Sequence, residues 1–180
     1  MLSRNLPLLG ALAPIAPVLG CQGTTPAITP APTPIEARDA KGVVTARVMP
    51  GHPCRATVDD VELLVASAPL VAQVGGDRWS GESGTNGLTL KKNDAPVARL
   101  HARQLFDAQG IPLLRVLPGG EIADAASAIV RHAKASPNAV TVGDFTVSGT
   151  SDVVLAAMLT ARETSPEVRA LVACHLLFAE

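Results

Sequence analysis

The sequence predicts an α+β fold: an antiparallel β meander or small partly closed barrel with two apolar C-terminal helices packed in or against it. Three observations carry this. Short apolar runs alternate with turn residues from about residue 39 onward, a 16-residue unit repeats at about 90–133, and two apolar stretches with helix-start signals close the chain. The 180 residues are 47% apolar, enough for one real core. With one Trp, three Phe and no Tyr, that core rests on Ala, Val, Leu and Ile, and stacking platforms for bases are missing. Net charge is −1 and only 17% of residues are charged, so no basic footprint points to nucleic acid.

The first element, residues 1–20, reads as a lipoprotein signal peptide. Arg4 precedes an apolar run, Leu6–Leu19, of about 14 residues, the length of a signal-peptide core. A membrane-spanning helix needs about 20. Pro7, Pro14 and Pro17 would each remove a helical hydrogen bond. Val18-Leu19-Gly20-Cys21 resembles the bacterial lipobox, which implies cleavage before Cys21 and a diacylglyceryl thioether on an acylated amino terminus. Several acyl chains at about 0.8 kcal/mol per buried methylene make a stable anchor. The resemblance therefore places the chain in the bacterial cell envelope, with the membrane as partner through the lipid on Cys21. Gln22 is not the aspartate that often retains lipoproteins in the inner membrane of enteric bacteria, so the outer membrane is favoured.

Residues 21–38 read as a linker. Pro26, Pro30, Pro32 and Pro34 alternate with Thr and Ala and favour extended polyproline conformations with nothing to bury. At about 3.1 Å per residue, some fifteen residues reach roughly 45 Å. If Cys21 takes the lipid, Cys54 and Cys174 remain as a pair in an oxidising compartment. A disulfide and two buried free thiols are both compatible with their spacing.

Residues 39–180 form the single globular domain. "VELLVA" (61–66) and "PLVAQVG" (69–75) read as strands, and "GGDRWSGESGTNG" (75–87) as a Gly- and Ser-rich loop in which Trp79 is either a contact point or packed over the barrel end. Then "APVARLH", "IPLLRVL" and "SAIVRHA" follow one another at 16-residue intervals and align Arg99, Arg115 and Arg131, with "KNDA", "DAQG" and "DAAS" as turn signals. A 16-residue unit is too short for a parallel crossover and suits two strands with two turns. Equivalent arginines then lie two strands apart, about 9.6 Å, on one face. Ser151 reads as the cap of a first helix with Asp152 in its first turn, and Ser165-Pro166-Glu167 opens a second, nearly all-round apolar helix.

Strand, D-x-x-G-type turn, strand ("LFDAQGIPLLRV", 105–116), closed by an apolar helix ending in an aromatic ("ALVACHLLFAE"), resembles the tubby-like barrel group that includes phospholipid scramblases. The resemblance covers roughly 85–180 in pattern only and implies a closed antiparallel barrel threaded by a hydrophobic helix. Two terminal helices and too few visible strands for a twelve-stranded barrel depart from it, and it carries over no functional residues.

No motif identifies a reaction. His52, His101, His132 and His175 lack paired ligand spacing, the cysteines form no C-x-x-C, and "GESGT" (81–85) has Thr85 where a nucleophile elbow needs glycine. Asp59 and Asp60, read as adjacent strand residues, point to opposite faces. No metal, no cofactor and no catalysis are expected. Arg99, Arg115 and Arg131 are the candidate anion-binding residues, set against a solvated outer face on which arginine stems cover Val97, Leu113 and Ile129. The expected function is a structural or interaction module with an envelope protein partner. The alternative is a binding protein for an amphipathic or anionic ligand such as a lipid headgroup.

Overall fold

The computed structural model describes residues 32–178. The signal peptide, Cys21 and most of the Pro/Thr linker lie outside the described residues. Fourteen strands form: β1 (Ile35–Arg38), β2 (Val44–Met49), β3 (Cys54–Val58), β4 (Val61–Ser67), β5 (Leu70–Val74), β6 (Asp77–Gly84), β7 (Gly87–Lys92), β8 (Ala95–His101), β9 (Gln104–Asp107), β10 (Pro112–Val116), β11 (Glu121–Ala123), β12 (Ile129–Ser136), β13 (Ala139–Val142) and β14 (Phe145–Ser148). Two helices follow, α1 (Val153–Leu159) and α2 (Pro166–Phe178).

Each strand pairs antiparallel with its neighbours in sequence, and β1 pairs with β14 through Glu36↔Ser148 and Ala37↔Val147, so the barrel is closed rather than partly closed. The closing strand lies inside the span 21–38 that the sequence presents as linker. Ile35 and Ala37 point inward and are buried, while Glu36 and Arg38 line the outside. Four residues after a proline tract are too few to display a period of two.

The supposed loop 75–87 is also largely strand. Trp79, on β6, is 4% exposed and belongs to the core. The low β-propensity of Ser and Gly hides this strand in the sequence. Gly81 has a packing reason: a Cβ there would strike the side chain of Leu70 and come within 2.9 Å of Leu88.

A fourteen-stranded barrel is too wide for strand side chains alone to fill. The two helices fill it. Leu155–Leu159 of α1 and Val168–Cys174 of α2 are buried without interruption, which on a 3.6-residue period means every face is covered. The two helices pack on each other, and on the wall α1 meets β10, β12 and β13 while α2 meets β2, β3 and β4. Facing α2, strands β2 and β3 turn in small residues (Ala46, Val48, Ala56, Val58) and β4 turns in Leu63 and Val65. The side formed by β5–β9 supplies larger ones: Leu70, Trp79, Leu88, Leu90, Leu100 and Leu105. Asp152, rather than Ser151, caps α1 by accepting from the N–H groups of Val154 and Leu155. Ser165 caps α2 as expected, accepting from Val168 N–H.

The hairpin turns divide between two rims. The near rim, where β1 begins, carries turns 50–53, 68–69, 85–86, 102–103, 117–120 and 137–138; the far rim carries 39–43, 59–60, 75–76, 93–94, 108–111, 124–128 and 143–144. Three far-rim turns are copies of one device. Asp39, Asp107 and Asp124 each accept two backbone N–H bonds through Oδ1, from the residues two and four positions on. The fourth residue takes positive φ, in Gly42 (79°), Gly110 (81°) and Ser127 (62°). Replacing Asp107 by Ala is expected to cost about 1 kcal/mol, seen as a shifted denaturant midpoint at unchanged slope. Asp107→Asn, whose Oδ1 accepts the same bonds, is expected to cost less.

Candidate functional site

Arg99, Arg115 and Arg131 fall on β8, β10 and β12, alternate strands of the barrel, but not on one face. Arg99 projects outward between the buried Ala98 and Leu100, with its guanidinium over the Phe106 ring at 5.0 Å. Arg115 also projects outward, between Leu114 and Val116, opposite Gln104. Arg131 pairs with Ile122, a fully buried residue, and points inward. The register shifts between Ile122 and Ala123, and a one-residue slip moves a side chain to the other face of a sheet. Arg131 donates to the carbonyl of Thr160 at 2.8 Å and to Glu163 at 2.7 Å, tying β12 to the connection between the helices. The three are therefore not a ladder for one anion.

The interior holds two devices that fix α2. Cys54 at the start of β3 and Cys174 on α2 form a disulfide spanning 120 residues, both cysteines being fully buried. At the far rim Arg169 of α2, its side chain 5% exposed, donates to Asp59 and to the carbonyl of Leu159. Asp59 and Asp60 are turn residues, φ 44° and 67°, rather than strand residues. In the sequence Arg169 merely interrupts an apolar run; its role depends on a turn 110 residues away.

The remaining candidates disperse. His52 stacks on Phe178 with ring centroids 5.1 Å apart, His101 and His132 are exposed on strands, and His175 is partly buried, which pushes its pKa below the ordinary value. Among the described residues no group of three His, Cys, Asp or Glu side chains is placed to hold a metal ion. A cavity of about 470 Å³ bordered by His52, Leu64, Ala66 and Val71 is an open depression on the outer wall. A second, of about 370 Å³, lies at the far rim between Val130, Asp144, Phe145, Arg162 and Glu163.

The outer wall is charged. Arg47, Arg55, Glu62, Glu82, Lys91 and Arg99 all project from it, the reverse of the apolar-out pattern of barrels that face lipid. Arg38, with Arg47, holds the Glu36 carboxyl below the usual carboxylate range through hydrogen bonds. Among the described residues no helix is long and apolar enough to cross a membrane. No family model matches the chain, and no curated protein and no solved structure matches it.

Proposed function

We propose that this chain is a non-catalytic, lipid-anchored lipoprotein of the bacterial envelope, more favourably of the outer membrane, whose barrel serves as a structural or interaction module. The observation that carries the module reading is the filled interior. Two of the chain's own helices, covered on every face, occupy the space where a ligand-binding barrel would hold its cargo. The larger depression is open on the outer wall, where little of a small molecule's surface would be enclosed. The anion-binding alternative is weakened because Arg131 turns inward onto Glu163, leaving Arg99 and Arg115 on the outside. The lipid rests on Val18-Leu19-Gly20-Cys21, and the buried Cys54–Cys174 bridge supports an oxidising compartment.

Intact mass of the protein extracted from membranes tests the anchor. The expected species begins at Cys21, carries acyl chains and retains one disulfide, and Cys21→Ala leaves an unprocessed or soluble chain without them. A mature chain that starts upstream of Cys21, or bears no lipid, overturns the reading. Arg99→Glu with Arg115→Glu is expected to leave vesicle binding unchanged; a marked loss of binding to anionic vesicles would favour the ligand-binding alternative.

A further inference from the structure

We infer that the far rim between β9 and β14 is a docking surface for a basic, amphipathic segment of a partner protein. Six large aliphatic residues are well exposed among the described ones, and five of them sit at the far rim: Ile111, Ile129 and Val130 in this sector, and Val43 and Val44 beyond it at the β1–β2 turn. Ile111, 54% exposed, closes the turn that Asp107 organises, and Ile129 and Val130, each 47% exposed, follow the turn that Asp124 organises. Each aliphatic contact point is thus built beside a carboxylate.

The charges at the rim choose the partner. Asp39, Asp60, Asp107, Asp124, Asp144 and Glu167 form no salt bridge among the described residues, whereas Lys41 and Arg162 are the far-rim cations that form none. In the β9–β14 sector Arg131 is bound to Glu163, and Arg162 lies over the Phe145 ring at 4.9 Å beside the 370 Å³ depression. A segment alternating cations with aliphatics would place its charges against Asp107, Asp124 and Asp144 and its apolar side chains against Ile111, Ile129 and Val130. Residues 32–34, which lead into β1, lie at the opposite rim. The inference deepens the module reading and rests on it, but the rim is part of the folded domain whether or not Cys21 carries lipid.

The test uses the full chain and a fluorescent synthetic peptide of alternating Lys and Leu, with Glu/Leu and Lys/Ser peptides as controls. The Lys/Leu peptide is expected to bind and to release as salt is raised from about 50 to about 300 mM. Binding is expected to weaken at least about tenfold in Ile111→Ser/Val130→Ser and in Asp107→Asn/Asp124→Asn/Asp144→Asn, and to persist in Leu64→Ser, which removes the large exposed aliphatic that lies away from the rim among the described residues. Asn keeps the turn bonds, so loss of binding at an unchanged melting temperature reports charge rather than unfolding. Absence of Lys/Leu binding, equal binding of the Glu/Leu peptide, or binding indifferent to both rim variants overturns the proposal. A dimer that dissociates in the same variants assigns the rim to a second copy and also overturns it. Cys21→Ala is expected to leave peptide binding intact, so failure of the anchor and failure of the rim are read separately.

Discussion

Removing the Cys54–Cys174 bridge is expected to lower the melting temperature by about 10–20 °C. The disulfide closes a loop of 120 residues, and on the chain-entropy account a loop of this size removes about 4.7 kcal/mol of conformational freedom from the unfolded chain. For a domain of this size each kcal/mol is worth roughly 2–4 °C. Cys54→Ala/Cys174→Ala, followed by thermal melting beside the oxidised parent, measures the effect. Both cysteines are fully buried, so mild reductant on the folded protein is expected to act slowly, and denaturant with reductant quickly. Unchanged melting in the double variant would mean that barrel packing alone holds α2.

Asp59→Asn is expected to destabilise the domain by about 2 kcal/mol, and Arg169→Met by much less. Taking one member from a buried pair leaves the other charge uncompensated, whereas an apolar replacement of similar volume avoids burying a charge at all. Arg169 is the buried member; Asp59, with its side chain 47% exposed, is half in water, which is why the figure falls below the roughly 3–5 kcal/mol of a fully enclosed pair. Asn tolerates the left-handed backbone that φ 44° demands, so the change reports charge and not turn strain. Chemical unfolding of both variants gives the ordering. If Arg169→Met proves the more damaging, the contact to the Leu159 carbonyl holds the helices rather than the ion pair.

Local rules left readable marks and long-range ones did not. The repeat through 90–133 was legible because each unit is two strands and two turns, and the structure places Arg99, Arg115 and Arg131 on alternate strands as the spacing requires. That Arg131 turns to the other face was not legible, since it depends on a register shift at Ile122 that no residue type announces. The strand β1 was hidden by its brevity, and β6 by its glycines and serines, although Trp79 with the strand-like β7 after it was a usable hint. Closure could not be read from any single segment, because it is a pairing of Ala37 with Val147 across 110 positions. The rim aliphatics were present as the fifth residues of "DAKGV" and "DAQGI", but only the barrel brings their turns to one end.

The order of parts along the chain constrains how this domain can be made. The cylinder is sealed by its first and last staves, and its filling, residues 153–178, comes after both. A nascent chain cannot finish the wall ahead of the plug without shutting the plug out, so assembly waits for nearly the whole polypeptide: the hairpins are local, but the closing β1–β14 pairing and the contacts of the helices with the wall join distant positions, and such pairings form slowly. Until then the apolar lining stands open, a state prone to aggregation that would place the growing product under the care of chaperones.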